Sequence, residues 1–235
     1  MTTHLPFDAS LAYSSPFASL DAQGLNLQAV FNVRDLPQDV LATLPLHDPQ
    51  TDKQLLLVGH LGPLMWQQLT VLGLVGDNPV DAFACEQLAA WFERERPGLA
   101  YRFVYPGASH IGLQRLGELA GWHHPSPFMV GINDLWGSWF AYRAVVLADT
   151  QLVPPPKLNS ASPCNACASR VCVRSCPVNA LSDGYDLAAR LAYRKQPDSA
   201  CQDRCVARNS CPIGAGHRYS EDQTSYHYGR SLKAI

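Results

Sequence analysis

The chain has 235 residues, 47% hydrophobic and 16% charged, with 18 Lys and Arg against 20 Asp and Glu, so it can bury a core and is not a disordered polyampholyte. No run of about 18 uncharged apolar residues occurs, which excludes a membrane-spanning helix. The start, MTTHLPFDASLAYSSPF, has neither a basic region nor an apolar run, so the expectation is a cytoplasmic chain in a reducing compartment.

From the N-terminus, short apolar runs alternate with helical periodicity. Leu25 to Val33 and Gln54 to His60 read as buried strands, and Leu99 to Tyr105, Ser126 to Ile132 and Trp139 to Ala148 as further strands. Between them, Asn78-Pro79 reads as an N-cap with proline at the first helical position. Val80, Phe83, Ala84, Leu88, Trp91 and Phe92 then recur at helical spacing until Pro97. A second helix is expected from Ser109 to about Trp122, with Leu113, Leu116 and Leu119 on one face. Cys85 falls on the apolar side of the first helix and reads as an inert core thiol. The prediction is an α/β layered domain over residues 1–156.

Pro154-Pro155-Pro156 and the Ser/Asn/Pro-rich stretch after it mark a boundary, with a smaller second unit at 157–235. Charge divides at the same place. Residues 1–156 carry 7 basic and 14 acidic side chains, while residues 157–235 carry 11 and 6. A basic second unit offsets a negatively charged cofactor or meets an anionic partner. Its arginines, scattered without aromatic interleaving, favour the first reading and make nucleic acid the weaker expectation.

Seven of the eight cysteines lie in that unit, in the runs CNACASRVCVRSCP and CQDRCVARNSCP. Thiolates two to four residues apart, closed by Cys-Pro, are the pattern of bacterial ferredoxin-type ligation, C-x2-C-x2-C-x3-C-P. Here two extra residues separate Cys167 from Cys172. In two-cluster ferredoxins the last cysteine of each run serves the other cluster. Cys164, Cys167 and Cys172 would then take Cys211 as fourth ligand, leaving Cys176, Cys201 and Cys205 for a second site. That site is three-iron, completed by a non-cysteine ligand, or absent. A single 4Fe-4S cluster on Cys164, Cys167, Cys172 and either Cys176 or Cys211 is the simpler competitor. Zinc would strand Cys172, Cys176 and Cys211, and disulfides suit a small secreted scaffold better than this chain.

The stretch from Leu116 to Pro156, which contains Trp136-Gly137-Ser138-Trp139-Phe140-Ala141-Tyr142-Arg143 and runs into the cysteines, resembles the core of epoxyqueuosine reductases and of cobalamin-processing proteins. The segment Asn78 to Asp81 is similar to the latter, and the likeness covers residues 54–212. It implies a nitroreductase-like three-layer domain followed by a small ferredoxin-like iron-sulfur module, with cobalamin as a further cofactor, an external electron donor, and a corrinoid or small molecule as ligand. Arg143 stands where the cobalamin-processing proteins receive a thiol cosubstrate. The second cysteine run departs from that of epoxyqueuosine reductases, which makes a tRNA substrate doubtful, and Asp134 beside the Trp strand reads as a turn residue.

Trp136 and Trp139 are candidates to line a flat macrocycle or to pack in the core, and Arg143 to bind an anion or form a salt bridge. His60, at the end of its strand before Gly62-Pro63, reads as a ligand-site or hydrogen-bonding residue. Tyr219, Tyr226, His227 and Tyr228 are expected to pack back on the first domain. The function expected is an oxidoreductase passing electrons from a 4Fe-4S cluster to cobalamin or a substrate. A non-enzymatic ferredoxin-like carrier and a cobalamin chaperone with a structural cluster are the alternatives.

Overall fold

A computed structural model of the chain describes residues 15–234. In chain order its elements are α1 (Ala18–Ala22), β1 (Leu27–Asn32), α2 (Gln38–Leu41), β2 (Gln54–Leu61), α3 (Leu64–Leu72), α4 (Pro79–Glu95) and β3 (Tyr101–Tyr105). There follow α5 (Leu113–Ala120), β4 (Phe140–Ala148), α6 (Val171–Arg174), α7 (Leu187–Arg194), α8 (Val206–Ser210) and α9 (Glu221–Lys233). The strands form one sheet in the order β1-β2-β4-β3, every neighbouring pair antiparallel.

The centre of the sheet is buried on both faces, which explains why β2 is apolar along most of its length rather than alternating. Leu56, Val58, Ala144 and Val146 face a core with Met65 of α3 and Phe83, Leu88 and Trp91 of α4. Leu55, Leu57, Val145 and Leu147 face a second core with Val40 of α2 and Leu116 of α5. Helices thus cover both sides of an antiparallel sheet, giving three layers. The ligand-site reading of His60 borrows from parallel sheets, where strand ends gather at a switch point, and this sheet is antiparallel throughout.

Helix α4 matches its prediction, with proline at the first helical position. Asn78, however, makes no cap bond with its own helix; its side-chain oxygen accepts from Arg230 of α9 at 3.2 Å. Helix α5 begins four residues later than expected, because glycines at 107 and 112 interrupt the approach, and it ends on Gly121 in the left-handed conformation.

Ser126 to Ile132 is not a strand. Met129 has a φ of 62°, Ser126 Oγ donates to the Val130 carbonyl at 2.5 Å, and only an isolated bridge joins His124 to Ile132. The apolar residues that suggested a strand, Phe128 and Ile132, instead pack on the cysteines. Residues 149–234 form no strand and fold as turns and the short helices α6 to α8, with α9 returning to the sheet domain.

Candidate functional site

The thiols gather in one apolar nest. Cys172, Cys176, Cys205 and Cys211 are buried among Phe128, Ile132, Ala180 and Leu181, with Cys164 packed against them. All eight cysteines are free. Their mutual charge effects link cysteines of both runs. The Cys164 thiol is pushed up to about 11, by burial first and then by Cys172, Cys211 and Cys167 beside it. The Cys201 thiol is raised by burial and by Cys205 and Cys176. Cys167, half-buried at the rim, is lowered instead, by hydrogen bonding to Ser169 and to backbone N–H groups. Cys164, Cys172 and Cys201, whose thiols burial raises, keep their protons until a cationic centre displaces them.

Among the described residues no three His, Cys, Asp or Glu side chains converge closely enough to hold a single metal ion. Four sulfurs round one zinc, at about 2.3 Å each, would have to lie within about 4 Å of one another. A cube takes its thiolates at separate corners and asks for a wider set. Soft, buried donors in an apolar nest fit such a cluster. Backbone hydrogen bonding to sulfur, which tunes a cluster's potential, is also present: the Arg208 N–H donates to Cys205 Sγ at 3.4 Å.

Beside the thiols, three of the four expected cofactor-binding residues come together. His60, fully buried at the end of β2, accepts at Nδ1 from Arg143 Nε of β4 at 2.9 Å. Burial, and then the charges of Arg143, His227 and Arg208, hold His60 well below its usual range, so the ring is neutral. With Nδ1 accepting, its proton sits on Nε2. Gln223 Nε2 stands 3.4 Å from that Nε2, and the Gln223 Oε1 is without a partner. Turning the amide over gives the ring N–H its acceptor and removes the orphan.

The third member, Trp139, is 2% exposed, and the Arg208 guanidinium lies 4.4 Å from its ring centre and 5.1 Å from that of Tyr219. Arg208 also donates to Ser138, through Nε to Oγ at 3.1 Å and through Nη2 to the carbonyl at 2.5 Å. Tyr219 stacks on His60, and His227 is pulled down to about 4 by burial and the two arginines. Among the described residues neither Arg143 nor Arg208 has a carboxylate in ion-pair range. Several polar atoms here are buried without partners: Trp139 Nε1, Asn209 Oδ1 and the Tyr219 hydroxyl edge a recess of about 180 Å³, and His227 Nε2 is a fourth.

Trp136 does not join this group. It packs edge-on to Phe140 in the other core and lines an open groove of about 520 Å³ beside Pro154–Pro156. A larger cavity, about 1020 Å³, lies at the opposite end of the sheet around Asn32, Gln54 and Thr150, and its lining includes none of the thiols, Arg143 or Arg208. Asp134 is an exposed turn residue, as its neighbours suggested.

Sequence reasoning missed Arg208, Ser138 and Gln223. Arg208 had one signal, its position inside the Cys205–Cys211 spacing; Gln223 had none, since its role depends on where α9 returns. Of the C-terminal aromatics, Tyr219, Tyr226 and His227 do pack on the first domain, Tyr226 and His227 against Trp66, while Tyr228 joins the cysteine nest.

No protein-family model and no curated protein matches the sequence. Solved structures do. An epoxyqueuosine reductase from Streptococcus thermophilus superposes with a TM-score of 0.56 at 14% identity, over 87% of this chain and 66% of that one. A catabolic reductive dehalogenase, solved with 3-bromo-4-hydroxybenzoic acid, gives 0.52 at 15% identity over 94% of this chain and 35% of its own. A C. elegans B12-trafficking protein gives 0.50 at 14% identity over 91% and 90%. At these identities the likeness establishes a shared fold, and these neighbours match the superfamily that residues 136–143 resemble. The chain spans just under two thirds of that epoxyqueuosine reductase.

Proposed function

We propose that the protein is an iron-sulfur oxidoreductase in which Cys164, Cys167, Cys172 and Cys211 hold a 4Fe-4S cluster that serves a corrinoid or a substrate seated between the sheet and the cysteine segment. When bound, the cluster supplies single electrons at a potential tuned by its surroundings, and a corrinoid supplies a cobalt centre that is strongly nucleophilic when fully reduced.

One observation carries this reading: Arg208 touches both halves of the site. Its carbonyl accepts from the Cys211 N–H at 3.2 Å and its own N–H meets the Cys205 sulfur, while its side chain lies on Trp139 and Ser138. Arg208 is buried and Arg143 half-buried, both without carboxylates in ion-pair range among the described residues, which is costly unless an anion meets them, and a phosphate- or carboxylate-bearing ligand would do so. Trp139 and Tyr219 keep water from the site, and neutral His60 ties Arg143 of the sheet to Gln223 of α9. Helix α9 covers these groups, so a large ligand requires α9 to shift.

The reductases and the B12-trafficking protein that share the fold support a redox or cobalamin-related role, and nothing in them supports a plain electron carrier. The tRNA partner implied by the resemblance is less favoured, because Arg194 and Arg208 of the basic segment are buried inside the protein.

Anaerobic titration of the cluster-loaded protein with hydroxocobalamin, followed by visible absorption, tests the corrinoid. A saturable shift is expected, with Arg143→Ala weakening binding at least about tenfold, the cost of about 1.4 kcal/mol of anion contact. Absence of any shift would remove the corrinoid. Turnover of the bound corrinoid with a low-potential donor then separates an enzyme from a chaperone.

A further inference from the structure

The two cysteine runs end in matching seven-residue phrases, VCVRSCP at 171–177 and VARNSCP at 206–212, which share Val, Ser, Cys and Pro in register and place alanine in the second where the first has cysteine. The structure repeats along with the sequence. Each phrase opens a short helix at its valine, α6 and α8, and the two helices pack against each other. The backbone bond of Cys176 N–H to the Val173 carbonyl, 3.3 Å, recurs as Cys211 N–H to the Arg208 carbonyl, 3.2 Å. Ala207 therefore occupies in the second run the place that Cys172 holds in the first.

In the crossed ligation of two-cluster ferredoxins that place belongs to the second site, together with the first two cysteines of the second run and the last of the first. These are Cys201, Cys205 and Cys176. All three line one narrow cavity, and Ala207, 2% exposed, lines it with them. No carboxylate or imidazole borders this cavity, and Tyr193 is the one lining side chain with an oxygen. Around Ala207 the wall is apolar, with Phe128 and Leu181.

Arg194 stands beside these thiols. It is 7% exposed, and its guanidinium donates to the Cys201 carbonyl at 3.2 Å and the Tyr228 carbonyl at 2.9 Å. Among the described residues it has no carboxylate partner. A buried cation lining the same cavity as three thiols favours negative charge there, and a thiolate-ligated cluster supplies it.

We infer that Cys176, Cys201 and Cys205 hold a three-iron, four-sulfide cluster, with Ala207 where the ligand of a fourth iron would stand. The inference rests on the iron-sulfur reading of this segment and adds a second, chemically distinct centre to it.

Electron paramagnetic resonance of anaerobically purified protein, recorded without reductant and alongside iron and sulfide assays, tests it. The expected result is the near-isotropic signal of an oxidised three-iron cluster, with about seven irons and about eight sulfides per chain. Ala207→Cys supplies the missing thiolate, so the signal is lost and iron rises to about eight. Cys201→Ser, which does not depend on the Ala207 site tolerating a larger side chain, abolishes the signal while leaving the dithionite-reduced signal of the Cys164 site. Tyr193→Phe changes neither. About four irons, no signal in the untreated protein and no change in Cys201→Ser would show an empty triad and overturn the inference while leaving the first cluster standing. About eight irons in the unaltered protein would show a complete cube and overturn it equally, with Tyr193→Phe reporting whether the phenol is the ligand. Protein without iron would remove both centres together.

Discussion

His60 and Arg143 show how burial fixes the state of individual groups at this site. The arginine occupies Nδ1 as a donor, and the neutral ring is the only form that can accept it. His227 is neutral for the same reasons, burial first and then Arg143 and Arg208. In the unfolded chain both rings titrate near the ordinary value of about 6.5. Folding holds both below that value, so the unfolded state binds protons that the folded state refuses. Stability is therefore full above about pH 6.5 and falls as pH drops, by about 1.4 kcal/mol per pH unit for each ring. The contribution of His227 levels off near 4. Urea unfolding at pH 7, 6 and 5 measures this, and His227→Gln should remove about half of the slope. A stability unchanged between pH 7 and pH 5 would show that the rings titrate normally in the folded protein.

At the scale of elements, two contacts lock the cysteine segment to the sheet domain. Gly137, just before β4, has a φ of 63°, and a Cβ there would lie 2.2 Å from the Ile213 carbonyl oxygen. Gly214 meets the Trp136 backbone in the reciprocal way. The loop following Cys211-Pro212 thus lies on the turn that opens the Trp strand, and only glycine permits that approach. Gly137→Ala should destabilise by more than about 1 kcal/mol, from left-handed strain alone, and lower iron retention; a thermal midpoint and iron content equal to the unaltered protein would show that the loop is not pressed against the turn. The second lock is α9, where Trp66 Nε1 donates to Asp222 at 2.5 Å and Arg230 reaches Asn78. Strands β1 to β4 and helix α4 were legible because their apolar periods and proline signals are local. Ser126 to Ile132 was misread for a physical reason. Its apolar residues are buried by the cysteine nest, not by a neighbouring strand, and periodicity does not distinguish the two.

Across the whole molecule, the cysteine spacing signalled the gathering of thiols in one segment, whereas the cavity side was only partly legible. His60, Arg143 and Trp139 share one polar knot, but Trp136 faces the other core, since a change of side within the Trp136–Trp139 turn is invisible to a motif. Arg208 and Gln223 acquire their roles only when chain segments 70 or more residues apart meet. The charge asymmetry also takes on a physical sense here. Part of the basic excess after residue 156 is internal, as Arg194 and Arg208, which bond to the Cys201 carbonyl and the Cys205 sulfur. The account stands on Cys164, Cys167, Cys172 and Cys211 binding one 4Fe-4S cluster, and the most direct measurement is the dithionite-reduced paramagnetic resonance spectrum of anaerobic protein, with its iron and sulfide content, compared with Cys211→Ser. A reduced-cluster signal that Cys211→Ser abolishes, with a loss of about four irons per chain, is the predicted result. Colourless, iron-free protein, or a spectrum that Cys211→Ser leaves intact, would contradict it.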